Sequence, residues 1–127
     1  MLSYKKSLRI LKKTNALLEG HFVLSSGLHS KIYIQCAKLL SFPKEASGIC
    51  KSLSKKIKKE FPKIDLILSP AMGGIIIGYE IGRLLNIETI FCERIKKKFV
   101  LRRGFYIKTS SQHKLSINSF TKNCFFI

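Results

Sequence analysis

Leu68-Ser69-Pro70-Ala71-Met72-Gly73-Gly74-Ile75-Ile76-Ile77-Gly78 joins a short apolar run to a glycine turn and then to a second apolar run. Upstream, Ile64-Asp65-Leu66-Ile67-Leu68-Ser69 has the length and apolar continuity of a strand buried on both faces of a parallel sheet, and Pro70 ends it. Downstream, residues 75 to 85 are apolar nearly all round, as a buried helix would be. Gly74, Gly78 and Gly82 recur every four residues on one face of that helix. Glycine inside a helix costs about 1 kcal/mol against alanine, so three in register imply a backbone passing close to a neighbouring strand. Glu88-Thr89-Ile90-Phe91-Cys92-Glu93 reads as the next strand, which closes a β-α-β unit with a right-handed crossover. The fold class that follows is α/β, a parallel sheet with flanking helices.

Working outward toward the N-terminus, Pro43 lies in the first turn of a helix capped by Ser41, with Ala46, Ile49, Cys50, Leu53 and Ile57 as its apolar stripe. Lys44, Lys51, Lys55, Lys58 and Lys59 fall on the opposite, solvated face. Before it, Phe22-Val23-Leu24 and Ile32-Tyr33-Ile34 read as extended pieces around the loop Ser25-Ser26-Gly27-Leu28-His29-Ser30. Residues 2 to 19 carry Tyr4, Leu8, Leu11 and Leu18 near helical spacing, and Gly20 is a plausible stop. On the C-terminal side, residues 94 to 104 hold Arg94, Lys96, Lys97, Lys98, Arg102 and Arg103 and no carboxylate. Residues 108 to 123 are polar and aperiodic, and Cys124-Phe125-Phe126-Ile127 follows.

Composition bounds what such a chain can do. Its 127 residues, 46% of them apolar, suit one domain with a real core. The excess of 24 Lys plus Arg over 7 Asp plus Glu favours phosphate-bearing partners, although an AT-biased coding sequence would produce a similar lysine excess. A small basic nucleic-acid-binding module using the 94–104 cations and the lysine helix is the alternative function. Against it stand the lack of Trp, of a nucleic-acid fold motif and of an aromatic platform among those cations. No apolar run nears the roughly 18 residues of a bilayer span, and the N-terminus lacks a leader pattern, so a cytoplasmic location and no membrane partner are expected. Cys36, Cys50, Cys92 and Cys124 have no metal or disulfide spacing and read as buried thiols, with no metal ligands among them.

Two blocks resemble orotate phosphoribosyltransferase, of the type I phosphoribosyltransferase family. One runs from Ala16 through Leu18-Glu19-Gly20-His21-Phe22 to Gly27-Leu28-His29-Ser30. The other runs from Leu68 through Pro70-Ala71-Met72-Gly73-Gly74 to Gly78 and continues with Phe91-Cys92-Glu93-Arg94 and Leu101-Arg102-Arg103-Gly104-Phe105. The resemblance implies an incomplete type I phosphoribosyltransferase-like fold over residues 1–107, with an N-terminal hood at the first block. Residues 108–127 would then be a tail unlike the family and poorly ordered. It further implies de novo UMP synthesis, orotate and phosphoribosyl pyrophosphate as substrates, magnesium as cofactor of the intact family, and a homodimer.

By the same resemblance Met72, Gly73 and Gly74 would line the pyrophosphate and base, and Ser26, Gly27, His29 and Ser30 would be hood-loop contacts. Arg94, Lys96, Lys97, Lys98, Arg102 and Arg103 would form a mobile catalytic loop that stabilises departing pyrophosphate. Ser25 stands where many relatives carry a cation, and Met72-Gly73 where some carry Tyr-Lys.

The family also needs two adjacent acids and a Thr-x-Gly loop to hold the ribose hydroxyls and the 5′-phosphate. Glu93 is the last carboxylate side chain, Asp65 the only aspartate, no acidic residues are adjacent, and no glycine follows Gly104. The expectation is therefore a truncated remnant, from a pseudogene frameshifted or stopped after codon 107, inactive alone and binding no magnesium.

Overall fold

The computed structural model describes residues 1–107 and the backbone of residues 124–126. Its contacts divide the chain into two compact units, Met1–Ser52 and Leu53–Ile127.

In the first unit, α1 (Tyr4–Lys13) starts at Ser3, whose hydroxyl accepts from the Lys6 amide. It ends earlier than the 2–19 spacing predicts. The buried Thr14 hydroxyl donates to the Ile10 carbonyl at 2.9 Å, and Asn15 turns left-handed with φ 52°. Residues 17 to 19 of the expected helix instead enter β1 (Leu17–Val23), paired antiparallel with β2 (His29–Ile34). The register slips between Glu19 and Phe22, so β1 carries one extra residue there. Ser41 closes the short α2 (Cys36–Leu40) by donating to the Lys38 carbonyl at 2.8 Å, rather than opening the next helix. That helix, α3 (Pro43–Glu60), starts on proline, whose missing amide costs nothing in a first turn. Ala16, Leu39 and Ala46 form the unit's buried core, with Ile10, Leu11, Leu40 and Ile49 against it. The α3 lysines at 44, 51, 55, 58 and 59 are all exposed, as read from the sequence.

The second unit begins at Leu53 within α3 and holds the rest of that helix, β3 (Leu66–Pro70), α4 (Gly74–Leu85), β4 (Glu88–Ile95), β5 (Lys98–Leu101) and β6 (Cys124–Phe126). The strand order is β5-β4-β3-β6. Strand β3 runs parallel to β4 and β6, whereas β4 and β5 are antiparallel. The expected parallel sheet is thus mixed, because Lys96 and Lys97, at φ 46° and 65°, close a two-residue hairpin that turns the chain straight back. β6 comes from the segment read as a tail; residues 108–123 lie outside the described residues.

Ile67, Leu68 and Ser69 are buried, as a central strand requires. Leu68, Ile90 and Cys92 form the core, with Leu66, Phe99, Leu101, Phe105 and Ile107 packed on it.

The glycine register of α4 has the cause the spacing implies. A Cβ on Gly78 would stand 2.7 Å from Ser69 Cβ and would also strike Ser69 Oγ. One on Gly82 would meet the Ile87 carbonyl at 3.0 Å and overlap Thr89 Oγ1, and one on Gly74 would lie 2.7 Å from Pro70 Cδ. The helix rests on β3 and β4 through these glycines. Its other face is not buried: Ile76 is 61% and Tyr79 66% exposed, which corrects the reading of an all-round buried helix. The buried residues of α4 are Gly78, Ile81 and Gly82.

Candidate functional site

Strand β3 ends at Pro70, level with Cys92, while its parallel neighbour β4 runs on to Ile95. Ligands of open α/β sheets bind beyond such carboxyl ends. There the chain turns through Ala71-Met72-Gly73 into α4, held by the Ala71 amide donating to the Cys92 carbonyl at 2.7 Å. The Ala71–Met72 peptide is cis. The Ile75 amide in the first turn of α4 donates to the Met72 carbonyl at 3.3 Å, and the turn lies at the positive end of the helix dipole.

The two glycines of the turn differ. Gly74 is demanded by contact with Pro70, whereas a Cβ on Gly73 meets nothing within 4 Å and its φ of −64° suits any residue. Gly73 therefore leaves room that the fold itself does not use. Met72 is 83% exposed beside it.

The basic stretch is not the loop expected of it. Arg94 and Lys98 are strand residues, with Arg94 opposite Phe99 and Ile95 opposite Lys98. Arg94 lies over the Phe99 ring, 5.4 Å from its centroid. Arg102 and Arg103 both turn onto Glu93, at 3.6 and 3.4 Å, and Arg103 also lies 5.9 Å from the centre of the Phe91 ring. Two of the six candidate cations are thus already matched to a carboxylate. Lys96 and Lys97 sit at the hairpin tip, roughly 13 Å past the level of Pro70 at 3.3 Å per residue, and are exposed with Lys98.

The structure brings Arg94 two residues beyond the Pro70–Cys92 level, while Arg102 and Arg103 return alongside β4. The sequence reading missed Glu93 as the anchor for both arginines. It also missed Phe91 and Phe99 as aromatic surfaces under the cations, contrary to the expectation of none. Phe99 stands inside the basic run, and the signal was its cross-strand position once a two-residue turn at Lys96-Lys97 is assumed.

The hood-loop candidates lie in the first unit. Gly27, at φ 81°, makes the turn between β1 and β2, where its amide donates to the Leu24 carbonyl at 2.8 Å. The Ser26 hydroxyl accepts from the Leu28 amide at 3.4 Å. Ser30 donates to the Ile32 carbonyl at 2.6 Å and accepts from the Ile32 amide, so its hydroxyl serves the strand. His29 is exposed and its Nδ1 meets Nε2 of His21, a partner the sequence reading did not name.

Of the cysteines read as buried, Cys50 and Cys92 are buried and Cys36 is exposed. Desolvation pushes the Cys92 thiol above its ordinary range, so it is a core group and not a nucleophile. Among the described residues no three His, Cys, Asp or Glu side chains gather.

Orotate phosphoribosyltransferase of Wolinella succinogenes is 45% identical to this chain over 104 residues, which cover 82% of the chain and 51% of that protein. The one from Campylobacter jejuni subsp. doylei is 50% identical over 100 residues, 79% of the chain and 50% of that protein. The chain is a relative of the orotate phosphoribosyltransferases. It spans about half the length of the curated relatives it matches. The crystal structure of orotate phosphoribosyltransferase from Aeropyrum pernix superposes with a TM-score of 0.60 at 25% identity, covering 77% of this chain and 53% of that one. The described α/β arrangement is accordingly a partial type I phosphoribosyltransferase fold. No family model matches the chain.

Proposed function

We propose that this chain supplies the base and pyrophosphate side of an orotate phosphoribosyltransferase site in cytoplasmic pyrimidine synthesis, and that these 127 residues alone do not complete the transfer. One observation carries the reading. The turn at the carboxyl end of β3 opens α4 through Gly73, a glycine with no conformational or packing need inside the fold. A missing side chain at the positive end of a helix admits a close anionic ligand. Arg94 stands just beyond it as a point of positive charge, and the substrates in this reading are orotate and phosphoribosyl pyrophosphate. Assembly as a homodimer belongs to the same proposal.

Magnesium does not fit the residues present. Hard cations need clustered oxygen ligands, the sequence has no adjacent acids, and the one carboxylate near the turn, Glu93, is held by Arg102 and Arg103. No step of the proposal runs through the metal. The nucleic-acid reading has little support, because one of the chain's own arginines lies over each of the rings Phe91 and Phe99.

The test has two arms. Purified chain mixed with orotate, phosphoribosyl pyrophosphate and magnesium is expected to form no orotidine monophosphate. Calorimetry with inorganic pyrophosphate is expected to detect salt-sensitive binding that Gly73→Val weakens by roughly tenfold, about 1.4 kcal/mol. Nucleotide formation by the chain alone, or unchanged pyrophosphate binding in the variant, overturns the reading.

A further inference from the structure

The β1–β2 hairpin carries a pair of histidines, of which the resemblance names only His29 as a hood-loop contact and gives the pair no role. His21 Nε2 and His29 Nδ1 are 2.6 Å apart, and the two rings stack with centroids at 4.8 Å and planes 27° apart. Both side chains are exposed, so the pair is open to solutes. The pairing follows from the hairpin. Val23 opposes His29, and the extra residue of β1 between Glu19 and Phe22 lies beside His21, where a bulge re-aims a side chain.

We propose that His21 and His29 chelate a divalent transition cation of the zinc type, with water completing the coordination. A zinc–imidazole bond is about 2.0–2.1 Å, so two nitrogens on one ion stand roughly 2.9 to 3.4 Å apart for right-angled to tetrahedral geometry. The observed nitrogens need to separate by less than about 1 Å to reach that range. Whichever ring carries the bridging proton passes it to its own remote nitrogen, so both lone pairs face the ion with no net loss of a proton. Imidazole suits zinc, copper and nickel, whereas hard magnesium prefers oxygen. The one carboxylate of β1, Glu19, pairs with Lys12 at 2.8 Å, so the site is two-ligand and exchangeable.

The experiment titrates the full chain with ZnCl2 by calorimetry while histidine ring nitrogens are followed by NMR. One saturable equivalent is expected, with shifts at Nε2 of His21 and Nδ1 of His29. His21→Asn and His29→Asn should each weaken uptake tenfold or more, on the order of losing one ligand interaction. Cys36→Ser and His113→Asn should leave it unchanged, and circular dichroism checks that each variant is folded. The proposal is overturned by the absence of saturable uptake, by unchanged uptake in His29→Asn, by loss in Cys36→Ser or His113→Asn, or by equal uptake of MgCl2. None of these outcomes depends on phosphoribosyl chemistry.

Discussion

Helix α4 and the β4–β5 hairpin each place residues where local preference argues against them, three glycines in a helix and two lysines in left-handed turn positions. The reasons differ. At Gly74, Gly78 and Gly82 a neighbouring atom stands where a Cβ would go, so the fold dictates the residue. At Lys96 and Lys97 the turn dictates only the conformation, and Asn-Gly would satisfy it with less strain. Internal packing therefore explains the glycine face fully and leaves the identity of the lysines unexplained. Gly73 belongs with the lysines, since nothing inside the unit requires it.

The sharpest way to break this contrast is to add one carbon on each side of it. In Gly78→Ala the new Cβ meets Ser69 Cβ, which cannot rotate away. Overpacking of about 3 kcal/mol, less roughly 1 kcal/mol of helix propensity gained, leaves a net loss of about 2 kcal/mol. Gly73→Ala should change stability by under about 0.5 kcal/mol, as at an exposed site away from contacts. Urea denaturation measures both, and equal losses would abolish the distinction. Ser69→Gly combined with Gly78→Ala should recover most of the loss, because the partner of the collision is then gone.

The hairpin gives the next effect. Replacing Lys96-Lys97 by Asn-Gly should stabilise the unit by about 1 kcal/mol, since both positions keep positive φ without a long side chain. A thermal melt that falls instead would mean that the lysines have internal partners. Glu93→Gln follows, with a loss under about 1 kcal/mol, the usual worth of partly exposed ion pairs. The same change frees Arg102 and Arg103, so pyrophosphate should bind several-fold tighter, each tenfold corresponding to about 1.4 kcal/mol. Unchanged binding would show that these arginines do not face the anion.

The same contrast shows what was legible in the sequence. The β-α-β unit, the exposed lysine face of α3 and the close approach of α4 follow from period and glycine spacing, which are local. The ends of elements were not legible. Helix α1 stops at Lys13 because Thr14 bonds back to Ile10 and because β1 pairs with a strand more than ten residues away. The basic run looked like a loop because Lys-Lys is not a turn signature, and charge hid the alternation of Arg94, Phe99 and Leu101. The candidate site divides the same way. Met72, Gly73 and Gly74 could be nominated from the sequence because glycine turns announce themselves, whereas the partners of Glu93 and His21 are supplied only by the pairing of strands.

The smallest effect concerns an exposed pair in the first unit. Lys13 donates to Glu45, and that hydrogen bond, then the lysine's charge, holds the Glu45 carboxyl below its ordinary range. A group whose pKa is lower folded than unfolded stabilises the fold above its unfolded pKa and loses that contribution as pH falls through the folded one. The contribution is therefore present at neutral pH and fades below about pH 4.3, the ordinary glutamate value. Lys13→Gln should melt slightly below the parent at pH 6, and the gap should close as both are taken to pH 3. A constant gap across that range would assign the difference to the packing of the lysine stem and not to its charge, placing Lys13 with the residues whose identity the fold itself requires.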